Sequence, residues 1–180
     1  CSVSSSTYSQ IVCVMPFGVG SGWALAVTIG TSGALTTNSG ANTLSYASPT
    51  ISGLGVPSTS GGTITVNGSG FGTDVGWSNS YFVVTLGGSA VTGVVRVSDT
   101  QLTCDVPAGI GKHVVFALTV AGVVIPDASV LRLSYAAPTV TAVPLKGATD
   151  GSGTVTIFGT EFGTVTTGSD ISASIGGTQC

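Results

Sequence analysis

The residues of this chain that could do chemistry are few and widely spaced. Cys1, Cys13, Cys104 and Cys180 are the thiols, and His113 is the lone imidazole. No Cys-x-x-Cys pair occurs, so a zinc site with its closely set ligands is not expected. Disulfide bonds in an oxidising compartment are the better use of the four thiols. His113 follows Lys112 at a predicted turn. A catalytic histidine needs a nucleophile and an orienting acid beside it, and nothing in the sequence supplies that constellation, so His113 reads as a surface residue. The acids Asp74, Asp99, Asp105, Asp127, Asp150, Glu161 and Asp170 stand singly. Calcium would want several in one loop and glycoside chemistry a facing pair, so turn and capping roles are expected for each. The chain is read as no enzyme, with no metal and no cofactor.

Covalent sugar is the chemistry the composition favours. Only 6% of residues are charged, against roughly 25% in ordinary soluble chains, so solvation needs another source. Asn67-Gly68-Ser69 is the single N-x-Ser/Thr sequon and makes Asn67 the N-glycosylation candidate; an unmodified turn asparagine is the alternative. Ser4, Ser5, Ser6 and Thr7, then Ser58, Thr59 and Ser60, and the run from Thr164 to Ser169 are O-glycosylation candidates or plain polar loops.

Charge excludes two classes of partner. Arg96, Lys112, Arg132 and Lys146 are all the basic residues, and the net charge is −3. Nucleic-acid binding needs clustered cations to displace phosphate counterions, and attraction to anionic membrane fails for the same reason. The longest apolar stretch, Val114 to Pro126, is about a dozen residues against about twenty for a bilayer span, and Gly122 divides it into two short strands. The segment begins at Cys1 without a signal pattern, as a processed or excerpted chain would.

The elements that must position these residues recur. Ser9-Gln10-Ile11-Val12-Cys13-Val14-Met15-Pro16 returns as Thr100-Gln101-Leu102-Thr103-Cys104-Asp105-Val106-Pro107. Leu44-Ser45-Tyr46-Ala47-Ser48-Pro49 returns as Leu133-Ser134-Tyr135-Ala136-Ala137-Pro138. Thr63 to Thr73 returns as Thr154 to Thr164, and Leu86-Gly87-Gly88 as Ile175-Gly176-Gly177. Four blocks in one order at a spacing of about ninety residues are the mark of a repeat. The phase gives the back half of a module at 1–47, a complete module at 48–136 and the front half of another at 137–180. Strands are expected over 63–66, 81–86, 91–97, 114–120, 130–133 and 154–157, from alternating or β-branched runs punctuated by Gly, Pro, Ser and Asp. Phe71 and Phe162 are expected to plug the sandwich end after glycine turns of positive φ. Pro49 and Pro138 mark the module joints. Trp23 and Trp77 are core candidates; an exposed ligand platform around Trp77 is the alternative.

These blocks resemble the immunoglobulin-like fold shared by plexins and transcription factors, the IPT or TIG domain. The resemblance rests on Pro49, Gly61-Gly62, Thr63 to Gly72, the Leu86-Gly87-Gly88 turn, Cys104 to Gly109 and Ser134 to Pro138. It implies an all-β architecture of tandem immunoglobulin-like sandwiches. Extracellular members often carry a disulfide that maps here onto Cys180 and Cys13, with Cys1 at nearly the position of Cys180; in the complete module Val91 and Thr92 replace the partner of Cys104.

The expected function is an extracellular or cell-surface structural protein: a rod or fibril of serial head-to-tail modules whose main partner is itself. Both a longer covalent array and strand complementation between subunits would complete the half-modules. The competing expectation is a ligand-binding or adhesive receptor ectodomain, and a third is an accessory module of a polysaccharide enzyme.

Overall fold

A computed structural model describes residues 1–16, 18–30, 35–72, 78–125, 131–142, 151–163 and 171–179. The expectations placed on Trp77, Cys180 and residues 164–169 lie outside them.

The strands, in chain order, fall into three groups. β1 (Ser2–Ser6), β2 (Ile11–Val14), β3 (Trp23–Ile29) and β4 (Leu35–Leu44) come first. β5 (Thr50–Leu54), β6 (Gly62–Ser69), β7 (Phe82–Leu86), β8 (Ser89–Ala90), β9 (Thr92–Ser98), β10 (Gln101–Val106), β11 (Val114–Val120), β12 (Val123–Val124) and β13 (Arg132–Leu133) form the centre. β14 (Thr139–Ala142), β15 (Phe158–Thr160), β16 (Ser174–Ile175) and β17 (Thr178–Gln179) follow. Among the described residues there is no α-helix, only a 3₁₀ turn at Asn79–Tyr81. That turn takes Tyr81 out of the expected strand and delays it to Phe82.

The centre is a sandwich of two antiparallel sheets. One runs β5-β6-β10-β9; the other runs β12-β11-β7-β8, with β13 also against β11. This is the immunoglobulin division of strands into two sheets. Alternation puts every second residue inside: Ile64 and Val66 from β6, Leu102, Cys104 and Val106 from β10, Val84 from β7, and Phe116, Leu118 and Val120 from β11 are all buried. Phe71, just past β6, is fully buried and plugs the end as expected. The apolar stretch near Val114 does break in two, with Ala121 and Gly122 at positive φ between β11 and β12.

One aromatic closes the other end. The Tyr135 hydroxyl donates to the Pro107 carbonyl at 3.0 Å, and its amide N–H donates to the Gly111 carbonyl at 3.0 Å. Its ring lies over Gly109, where an added Cβ would come within 2.6 Å of the ring carbon. Burial and the missing side chain are therefore one design: the phenol reaches its acceptor only because residue 109 has no Cβ.

The expected strand over 154–157 is not formed. The matching central run, in β6, is held between β5 and β10. Residues 154–157 have no strand beside them in the described structure, and pairing begins only at Phe158, where β14 supplies a partner.

Two substitutions test the core. Phe116→Ala is expected to cost about 3–5 kcal/mol by cavity formation, read as a lower urea midpoint with unchanged slope. Gly109→Ala is expected to destabilise more than Tyr135→Phe, which loses only a hydrogen bond worth about 1 kcal/mol, because the new methyl displaces the whole ring.

Candidate functional site: two uncovered sheet faces and a carboxylate joint

The segments flanking the sandwich copy its local geometry. In the first, the Tyr46 hydroxyl donates to the Pro16 carbonyl at 2.9 Å and the Tyr46 N–H to the Gly20 carbonyl at 2.9 Å. Gly18 lies under the Tyr46 ring as Gly109 lies under that of Tyr135. In the last, β14 pairs β15 as β5 pairs β6: Thr139 faces Thr160 as Thr50 faces Ser69, each pair sharing a side-chain hydrogen bond, at 2.7 and 2.8 Å. A bulge follows one residue later in both ladders. The β16–β17 hairpin turns through Gly176 and Gly177 at φ of 56° and 86°, and β7–β8 through Gly87 and Gly88 at 58° and 86°.

Where the flanking segments differ from the centre is burial. β1–β2 and β3–β4 are two-stranded sheets, whereas β10 and β11 each sit between neighbours. Ile11, Met15 and Ile29 are exposed, although their central counterparts Leu102, Val106 and Val120 are buried. In the last segment Val155, Ile157, Ile171 and Ile175 are exposed, against buried Ile64, Val66, Phe82 and Leu86. The residue types are those of a core; among the described residues no second sheet covers them. Trp23 shows the same effect. Expected in a core, it is 57% exposed, held only by its indole N–H donating to the Val19 carbonyl at 3.1 Å, because β3 has no facing sheet.

At the junction between the sandwich and the last segment, one carboxylate gathers three donors. Glu161 Oε2 accepts from the Thr59 N–H at 2.6 Å, the Thr59 hydroxyl at 2.8 Å and the Ser58 hydroxyl at 3.0 Å. Glu161 stands where the repeat has Gly70, and both have positive φ, 59° and 76°. A glutamate accepts that strained backbone and in return reaches across the joint. The Thr59 amide, then the Thr59 and Ser58 hydroxyls, hold its carboxyl below the usual glutamate range. No singular signal marked this residue: it is one scattered acid among seven. Its departure from glycine in the repeat was the available clue. Thr59 is buried with its hydroxyl engaged, so an O-glycan there is incompatible with the joint. Beside it lies an open cavity of about 680 Å³, walled by Ile110 and Pro138, by the exposed Ile157 and Ile171, and by Phe162, which is half-buried where Phe71 is fully buried. Pro49, the corresponding joint proline, is fully buried.

The remaining candidates do not converge. Cys1 and Cys13 are exposed and Cys104 is buried, all three as free thiols. Burial, then the nearby Asp105, raises the Cys104 thiol to about 11. Asn67 is exposed on β6 rather than in a turn, its amide oxygen accepting from Gln101 at 3.4 Å. Ser4, Ser5, Ser6 and Thr7 are exposed, and His113 is exposed at φ 64°. Among the described residues no cluster of His, Cys, Asp or Glu could hold a metal ion, and no helix is long and apolar enough to cross a membrane.

Residues 49–132 match the IPT/TIG domain. They form an IPT/TIG domain. No curated protein matches the chain. An IPT/TIG domain is compatible with a receptor ectodomain or an adhesive role, and its two sheets account for the immunoglobulin-like order of β5 to β13.

Two measurements follow from this geometry. Because the joint favours the ionised Glu161 carboxylate, its stabilisation is present above the ordinary glutamate pKa and is lost as pH falls through the depressed one. Carboxyl-detected NMR should place Glu161 below the reference of about 4.3, with the Thr59 amide shift following the same midpoint. A midpoint at the reference would remove the clamp. Maleimide at neutral pH should label Cys1 and Cys13 in the folded chain and Cys104 only after unfolding, since the thiolate is the nucleophile.

Proposed function

We propose that this chain is an extracellular structural protein that builds a rod or fibril from IPT-like modules in head-to-tail series. The observation that carries the reading is the paired pattern of uncovered faces. Ile11, Met15 and Ile29 before the domain and Val155, Ile157, Ile171 and Ile175 after it are exposed at positions that are buried in the domain, which supports reading 1–47 as the back half of one module and 137–180 as the front half of another. Contiguous exposed apolar surface of that kind marks an interaction site, and a protein whose two ends are unlike but complementary associates in open series. The scarcity of charge supports a glycan coat, with Asn67 and Ser4, Ser5, Ser6 and Thr7 as accessible carriers. A disulfide between Cys13 and Cys180 of successive modules would lock the series.

Electron microscopy of the purified chain without reductant tests this. Rods with a regular axial repeat are expected, at a spacing of two modules per chain. Discrete particles at every concentration would overturn the reading and turn attention to ligands of a receptor-like ectodomain.

A further inference from the structure

The register of the joint between copies can be read from the IPT/TIG domain itself. In the domain, β6 pairs β10 with Ile64 opposite Cys104 and Val66 opposite Leu102. β7 pairs β11 with Phe82 opposite Val120 and Val84 opposite Leu118. The repeat carries each of these positions into a flanking segment. Ile64 and Val66 become Val155 and Ile157, while Cys104 and Leu102 become Cys13 and Ile11. Phe82 and Val84 become Ile171 and Ala173, while Val120 and Leu118 become Ile29 and Val27.

We propose that a second copy of this chain is the occupant of both uncovered faces: residues 154–157 of one copy form an antiparallel ladder with β2 of the next, Val155 opposite Cys13 and Ile157 opposite Ile11, while residues 171–175 pair with β3 of the same neighbour, Ile171 opposite Ile29. This deepens the structural reading above and rests on it.

Three observations favour a second copy over another occupant. Each face has the residue pattern of half of a core that this chain already closes once, at 49–132. The run 154–157 is the one predicted strand that is not formed, and the pairing supplies the neighbour it lacks. The two faces also cannot satisfy each other within one chain. Gly20 packs beside Val123, beyond the C-terminal end of β11, and Gly163 packs beside Ile110, ahead of its N-terminal end. The half-sandwiches therefore sit at opposite ends of the domain. A contact between unlike ends propagates instead of closing. The cavity walled by Ile157, Phe162 and Ile171 is then the unfilled end of a core, and the β3 end at Ile29 is the piece that fills it.

The test uses the full chain in a Cys1→Ser, Cys180→Ser background, where Cys13 is the exposed thiol among Cys13 and Cys104. Val155→Cys is made in it, with Thr156→Cys as register control. Val155 is exposed in the single chain, so its replacement leaves the domain folded. Directly opposed residues of an antiparallel pair lie within disulfide reach, whereas residue 156 points to the other face. Mild oxidation is expected to give a ladder of covalent multimers from Val155→Cys, at least tenfold more than from Thr156→Cys. Ile175→Asp, added to the Val155→Cys variant, should abolish both assembly and ladder while leaving the thermal transition of the domain in place. Rods by microscopy without the selective ladder would overturn this joint while leaving the structural reading standing. Absence of both rods and ladder at all concentrations would overturn the two together. Closed dimers, or a ladder of equal yield from both cysteines, would also overturn the joint.

Discussion

The contact between the inner faces of two sheets is what the rest of this molecule depends on. A strand such as β10 can satisfy its backbone by pairing sideways with β6 and β9, but Leu102 and Cys104 leave water only because Phe116 and Leu118 of the opposite sheet cover them. Apolar burial, at about 25 cal/mol per Å², is the term that offsets the cost of ordering these strands. The flanking segments show the converse. β2 and β3 have the same residue types and the same alternation as β10 and β11, and they form hairpins with β1 and β4, yet their apolar side chains stay exposed. Sideways pairing sets the strands; the facing sheet makes them a core. Pairing alone thus forms the strands of the flanking segments without burying their apolar residues.

The junctions on either side of the domain carry a second constraint, because a connection holds its geometry only if it is stiff. Two devices recur. A tyrosine ahead of each junction, Tyr46 or Tyr135, ties itself through its hydroxyl to a proline carbonyl and lies over a glycine, fixing the chain just ahead of Pro49 or Pro138. The residue before the phenylalanine, Gly70 or Glu161, then takes positive φ; Phe71 beyond the first is fully buried and Phe162 beyond the second is half-buried. At the second joint this position holds a carboxylate, and the same backbone that a glycine would adopt with least strain instead aims Oε2 at Ser58 and Thr59 of the preceding domain. The two joints are therefore built alike and tightened differently: by packing of Pro49 at the first and by charge-assisted hydrogen bonds, which are stronger than neutral ones, at the second.

Much of this was legible in the sequence because repetition compares a chain with itself. The sandwich class, the strand runs over 63–66 and 114–120, the plug at Phe71 and the glycine turns followed from alternation and turn chemistry. Two expectations fail for one physical reason. Trp23 and the 154–157 strand were assigned by pattern as though their neighbours were present, and pattern says what a residue would bury against, not whether that surface is there. Glu161 was missed differently. A single acid has no periodicity and no motif, and its role comes from tertiary proximity to residues a hundred positions earlier. Thr59 was read as a polar loop residue open to sugar, because local sequence cannot report that a distant carboxylate covers it.

Selectivity is the remaining problem for a chain with so few charges. Electrostatic patterning, the usual guard against wrong partners, is not available with four basic and seven acidic residues. The side-chain alternation of strands supplies another. A slip of one residue along β2 would turn Ile11 and Cys13 outward and bring Val12 and Val14 in, while the glycine hairpin at 176–177 fixes where β16 must lie. In the proposed assembly only one offset would let both strand pairs close at once, since β2 and β3 belong to different sheets and each would set its register independently. A joint of the proposed kind, specified twice in this way, would reject misaligned copies through geometry alone, with apolar residues that give no sign of specificity when read one at a time.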